Sequence, residues 1–184
     1  DLVTFGLGVF VFLVVMLAIV FRAIRWVVLP LASCFFAGLS MMGLLGLAGW
    51  QVTVISSNFI SLMLILTMSM NVHLVVRHRQ LVRDHPELAH PARVLMTMQK
   101  MFWPCLYTAL TTILAFGSLV LSSIKPVIDF GWMMSLGLVV TFAVSFLLFP
   151  ALLAVLGPAQ KGESASVPGL KFTATLSRIT AQRG

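Results

Sequence analysis

Charge is what this chain has least of. Only 9% of its 184 residues are charged, and Asp and Glu together number 5. A soluble domain carries roughly a quarter charged residues, so a water-soluble globule is excluded. Cysteine is almost as scarce. Cys34 and Cys105 both fall inside apolar runs, which leaves them as small packing residues and excludes a disulfide or Cys-based metal framework. No CxxC pair, glycine-rich phosphate loop or Ser-His-Asp arrangement occurs. An ATPase is therefore unsupported, and the expectation is a non-enzymatic chain with no cofactor. The start lacks a cationic stretch and a small-residue cleavage site, which argues against a signal peptide. Asp1 leads straight into an apolar run, as expected of an interior piece of a longer chain.

What the chain does have is long hydrophobic runs, with 60% of residues apolar. A membrane-spanning helix needs about 20 mostly apolar residues. Five segments qualify: Val3–Phe21, Trp26–Gly49, Val54–Val76, Phe102–Leu121 and Val127–Ala151. The predicted fold class is all-α, a polytopic bundle of five transmembrane helices over residues 1–157. A basic cytoplasmic loop is expected over residues 77–101. Residues 158–184 read as a Gly/Ser/Pro-rich hinge and an interfacial helix, Leu170–Arg183, leading towards a second half.

The net charge of +7 does not point to nucleic acid, because the cations cluster between and after the apolar runs. Of the 12 Lys and Arg, only Lys125 falls on the opposite side of the alternating spans. The positive-inside rule then places the start of the piece outside and its tail in the cytoplasm. Trp50 and Trp132 fall near outer span ends, and Trp26 and Trp103 near inner ones, as aromatic belts require. Pro30, Pro104 and Pro126 are expected in first helical turns, where a missing N–H costs little. Pro150 is expected to bend or end the fifth span. His85-Pro86 and His90-Pro91 are expected to break helix. Ala92–Met101 then reads as a short amphipathic helix on the inner leaflet.

The run Val54–Gln80 is the most informative. It is apolar enough to span, yet carries Asn58, Ser61, Thr67, Ser69, Asn71 and His73. Polar groups in hydrocarbon are costly unless they face protein or water. At 100° per residue, Asn58, Ser69 and His73 share one face, while Thr67 and Asn71 point the other way. A helix with polar groups on two faces should be central. His73 is the one ionisable group well inside a span. It is either a proton or substrate contact, or a residue of the inner interface. Asp129 opens the fifth span, where a carboxylate stabilises a helix N-terminus or serves as a proton or substrate contact. Thr108, Thr111, Ala115 and Ser118 form one face of the fourth span, and Gly137, Thr141 and Ser145 a small-residue run in the fifth. Such stripes serve helix packing, or a substrate or water path. The spacing of His73, His78, His85 and His90, with no carboxylate in a suitable register, does not fit a di-iron site, so no metal is expected.

An ordered set of segments carries a family resemblance. They are Phe21-Arg22 to Arg25-Trp26 with Pro30, Gly43–Trp50, Thr53–Leu62, His73–Gln80, Trp103–Phe116, Val127–Gly137 and Phe149–Leu156. Together they resemble the membrane half of the resistance–nodulation–division (RND) superfamily, and in particular the MMPL-type exporters, which share a five-helix core with sterol-sensing domains. The resemblance implies helices two to six of the first of two related halves. The first helix, the periplasmic domains and the second half would lie in other parts of the same chain. It also implies export of lipid-like or hydrophobic compounds, usually driven by protons, from a bacterial inner membrane. Membrane lipids, the substrate and the rest of the chain are the expected partners, with a homo-oligomer as a further option. Many members carry a relay carboxylate in the helix matching the third span. Here that region reads Thr67 to His73 with no acid, leaving Ser69, Asn71 and His73 as relay or polar-contact candidates. A sterol-sensing-like regulatory module is the alternative reading.

Overall fold

The computed structural model describes residue 8 and residues 11–12, 14–19, 24–50 and 59–157. Two compact units divide the chain: Asp1–Val27 with Ala159–Gly184, and Val28–Pro158. In the first, described residues are helical at positions 8, 11–12 and 14–19, and the Arg25 guanidinium lies 5.7 Å from the centre of the Trp26 ring. Most of the Val3–Phe21 span, Asn58, the hinge and Leu170–Arg183 lie outside the described residues.

Four long helices follow: α1 (Ile24–Leu47), α2 (Phe59–Asp84), α3 (His90–Gly117) and α4 (Lys125–Leu156), with a 3-10 turn at Ser118–Leu121 after α3. No strand occurs among the described residues, and all four helices are long and apolar enough to cross a membrane. α1 ends in a Schellman-type turn. Trp50 N–H donates to Leu45 O (3.1 Å) and Gly49 N–H to Gly46 O (3.2 Å). Gly49 adopts φ +63° there, a conformation that favours glycine.

The helices outrun the hydropathy pattern. Residues 77–101 were expected as a loop with a separate surface helix. Instead α2 continues through Arg77 to Asp84, residues 85–89 turn, and α3 starts at His90. The reason is local. Ala92–Met101 is rich in good helix formers, and Pro91 sits in the first turn, where it opens a helix instead of breaking one. With its 3-10 extension this helix runs 32 residues, or ~48 Å at 1.5 Å per residue, longer than the ~30 Å hydrocarbon core. The prolines shift role accordingly. Pro126 is in the first turn of α4, as expected. Pro30 and Pro104 lie inside α1 and α3, not in first turns, and α4 runs past Pro150 to Leu156. Neighbouring helices and local adjustment make such interior prolines tolerable in membrane helices.

α2 is packed from several sides, by α1 and α4 in one buried cluster and by α3, and α4 shares that interior place. Ala37, Met41 and Leu45 of α1, Phe59 and Met63 of α2, and Met133, Met134 and Leu138 of α4 form one buried cluster. α3 packs on α2 and α4. Burying apolar surface gives little drive in lipid, so close packing and interhelical hydrogen bonds must hold the bundle. At Gly137 a Cβ would meet Met63 Sδ at 3.6 Å, an ordinary contact that an alanine could make. Gly131 is tighter, since its Cβ would stand 2.7 Å from Phe116 O and 3.1 Å from Leu119 Cβ. Gly131→Ala therefore has to push α4 off the end of α3. It is expected to cost about 1–3 kcal/mol as overpacking, read as a lowered midpoint of unfolding in detergent. An unchanged midpoint would show that the hairpin yields freely.

Candidate functional site

Two rungs of side-chain hydrogen bonds join α2 to α4. Thr67 and Asn71 are one turn apart on α2, and Thr141 and Ser145 one turn apart on α4, so the pairs face each other. All four are buried. Thr67 Oγ1 lies 3.0 Å from Thr141 Oγ1, and Asn71 Nδ2 donates to Ser145 Oγ at 3.0 Å. The directions follow from hydrogen counting. Thr67 gives its only hydroxyl hydrogen to Met63 O (2.7 Å), so Thr141 is the donor in the first rung. The Asn71 atom 2.8 Å from Thr67 O must be the amide nitrogen, because a carbonyl only accepts. This fixes the amide orientation and leaves Asn71 Oδ1 buried with no partner among the described residues.

The other polar face of α2 opens on a cavity of about 280 Å³. Leu66, Ser69, Met70 and His73 of α2 form one wall. Met101, Pro104, Cys105, Thr108, Ala109 and Thr112 of α3 form the opposite one, and Leu138 and Thr141 of α4 close the back. Ser69, His73 and Thr108 are exposed, so the cavity opens out of the bundle. Thr141 belongs to both features: it lines the cavity and donates into the buried seam.

The predicted two-faced α2 is thus divided. Thr67 and Asn71 serve the seam, and Ser69 and His73 the cavity. The α3 stripe divides too. Thr108 lines the cavity, whereas Thr111, Ala115 and Ser118 are exposed outside it. The hydroxyls of Thr111 and Ser118 return to their own backbone at Tyr107 O (3.0 Å) and Ala115 O (2.7 Å). Asp129 is half-buried and away from the cavity. Since α4 begins at Lys125, Asp129 stands in its second turn, past the N-terminal turn where the helix dipole acts most strongly.

A third polar cluster pins the basic ends of the helices. His78 is fully buried, with Nδ1 3.1 Å from Thr97 Oγ1. Thr97 donates its hydrogen to Arg93 O (2.7 Å), so His78 Nδ1 carries the proton of this bond. The His78 ring packs edge-on against Phe149 and His90, and His90 Nε2–H donates to Leu153 O at 3.1 Å. The turn beyond is polar: Arg83 meets Asp84 at 3.5 Å and His85 meets Glu87 at 3.2 Å. A hydrogen bond from its own backbone, then the hydrogen bond and charge of His85 and the charge of Arg93, hold the Glu87 carboxyl below the ordinary range.

Four helices of spanning length and an all-α bundle fit the membrane half that the resemblance implied. The MMPL family model matches residues 1–175. The chain belongs to the MMPL family. No curated protein matches it. Membership makes the chain part of a multi-pass membrane protein and supports its reading as a membrane module of an RND-type transporter. Within this MMPL module no Asp or Glu lines the cavity, and no cluster of His, Cys, Asp and Glu suited to a metal occurs among the described residues.

Sequence reasoning missed Thr112 and Cys105 of the cavity and the pairing of His78 with Thr97. It placed Thr67 with Asn71 and Thr141 with Ser145 on single helix faces without joining them. Matching i, i+4 polar pairs on two apolar helices is the signal that would have joined them.

Proposed function

We propose that this module carries lipid-like or hydrophobic compounds across a bacterial inner membrane, with the α2–α3–α4 cavity as a contact point for the cargo. The start of the piece lies outside and its tail in the cytoplasm. The observation that carries the reading is the cavity itself. Its walls are largely apolar, it opens sideways from the bundle, and it holds a few convergent polar groups: Ser69, His73 and the threonines. Binding sites for small hydrophobic molecules have this make-up. Membrane lipids, the cargo and the remaining parts of the transporter are the partners, and a homo-oligomer is compatible with the exposed apolar faces.

His73 is the imidazole of the cavity wall and the proposed polar contact or proton carrier. His73→Ala in the whole protein is expected to lower the flux of acyl-chain-labelled lipid in proteoliposomes under an imposed pH gradient, with insertion unaffected. Unchanged flux would remove His73 from the mechanism. One observation favours a second reading, a lipid-binding regulatory module resembling sterol-sensing domains: no carboxylate stands in the spanning part of α2 or in the cavity wall. That reading predicts saturable lipid binding with no flux that responds to the pH gradient.

A further inference from the structure

Three threonines line the cavity, and the hydroxyl hydrogen of each is already engaged within the protein. Thr108 donates to Pro104 O (2.9 Å) and Thr112 to Thr108 O (2.8 Å). Thr141 donates to Thr67 Oγ1 (3.0 Å), because the Thr67 hydrogen goes to Met63 O. A hydroxyl has one hydrogen and two lone pairs, so all three can offer an incoming molecule acceptors only. Of the remaining polar groups, Ser69 can donate or accept, and a neutral His73 ring does one of each. No Lys, Arg, Asp or Glu lines the wall.

This arrangement discriminates between head groups. With His73 neutral, a carboxylate or phosphate would meet threonine oxygens of its own polarity, with only Ser69 and one ring N–H to donate. An ammonium would find acceptors but no counter-charge, and burying an unpaired ion costs far more than burying a neutral group. A plain hydrocarbon would leave the lone pairs unused. A hydroxyl supplies the missing donor and carries no charge. We propose that the cavity selects uncharged amphiphiles whose head is a hydrogen-donating hydroxyl, over carboxylates and hydrocarbons of the same chain length. This rests on the reading of the cavity as a site for hydrophobic cargo.

The test uses the whole protein in nanodiscs with three tritiated probes of one chain length: 1-dodecanol, dodecanoate and dodecane. Binding at the site is the part displaced by excess unlabelled probe and lost in Ala109→Trp, which fills the cavity. The expected result is specific dodecanol binding about tenfold tighter than that of either other probe, the worth of roughly one hydrogen bond. In the double variant Thr108→Val/Thr112→Val, which keeps shape and removes two acceptors, dodecanol binding should weaken several-fold while that of dodecane does not. Dodecanoate or dodecane binding as tightly as dodecanol, or undiminished dodecanol binding in the double variant, would overturn the selectivity and leave the cargo reading standing. No displaceable binding of any probe would overturn both.

Discussion

Asn71→Ala should destabilise the bundle more than any other single change in the buried seam. The side chain is fully buried and uses both amide hydrogens, one on Thr67 O and one on Ser145 Oγ. Truncation leaves the Ser145 hydroxyl without its partner on α2 and opens a void. Large-to-small changes in packed cores cost about 2–5 kcal/mol. Interhelical hydrogen bonds in membranes average only ~0.6 kcal/mol each, so the void contributes most. Removing the unpartnered Oδ1 gives some of this back, and a net loss of about 2 kcal/mol is expected. Asn71→Leu, which fills the space without the polar atoms, should lose less. Denaturant titration in mild detergent measures both. A change within ~0.5 kcal/mol for Asn71→Ala, the range of ordinary surface substitutions, would show that α2 and α4 are not held here.

His78→Ala should be comparably severe about two turns further along the same helix. The ring joins three helices: it donates to Thr97 on α3, packs edge-on against Phe149 on α4, and meets the His90 ring that clamps Leu153 O. Loss of a fully buried ring with its hydrogen bond is expected to cost about 3 kcal/mol. His78→Asn keeps a donor near the Nδ1 position and should lose less than His78→Leu, whereas a packing role alone would favour His78→Leu. By contrast, Thr111→Val should be nearly neutral, since the Thr111 hydroxyl is exposed and bonds only to its own helix.

Much of this fold is legible in the sequence because a bilayer imposes a simple length rule. Runs of about 20 apolar residues gave the helices now seen as α1 to α4. The two-faced distribution of Thr67, Asn71, Ser69 and His73 gave an α2 contacted on more than one side, but not the equally interior place of α4. What was not legible has physical causes. Helix ends are not legible in the sequence because hydropathy reports where the membrane begins, not where the backbone stops being helical. Arg77–Asp84 is polar and Ala92–Met101 amphipathic, yet both favour helix, so α2 and α3 run on, and Pro104 becomes interior. Thr108, Thr111, Ala115 and Ser118 share one face by periodicity, but four residues at helical spacing sweep an arc wide enough to divide. Thr108 turns into the cavity while Ser118 turns out. Which polar pairs meet depends on the axial offset between α2 and α4. Periodicity within each helix carries no information about that offset, so the two rungs of the seam emerged only from the packed structure.

The cavity matters functionally only if it stays open in the whole protein and a hydrophobic molecule enters it. The most direct measurement is a high-resolution cryo-electron microscopy map of the whole protein in nanodiscs of native lipid. The account predicts elongated density between α2 and α3, in contact with Ser69, His73 and Thr108 and absent from the Ala109→Trp variant. A cavity closed by side chains from the rest of the protein, or density unchanged in that variant, would contradict it.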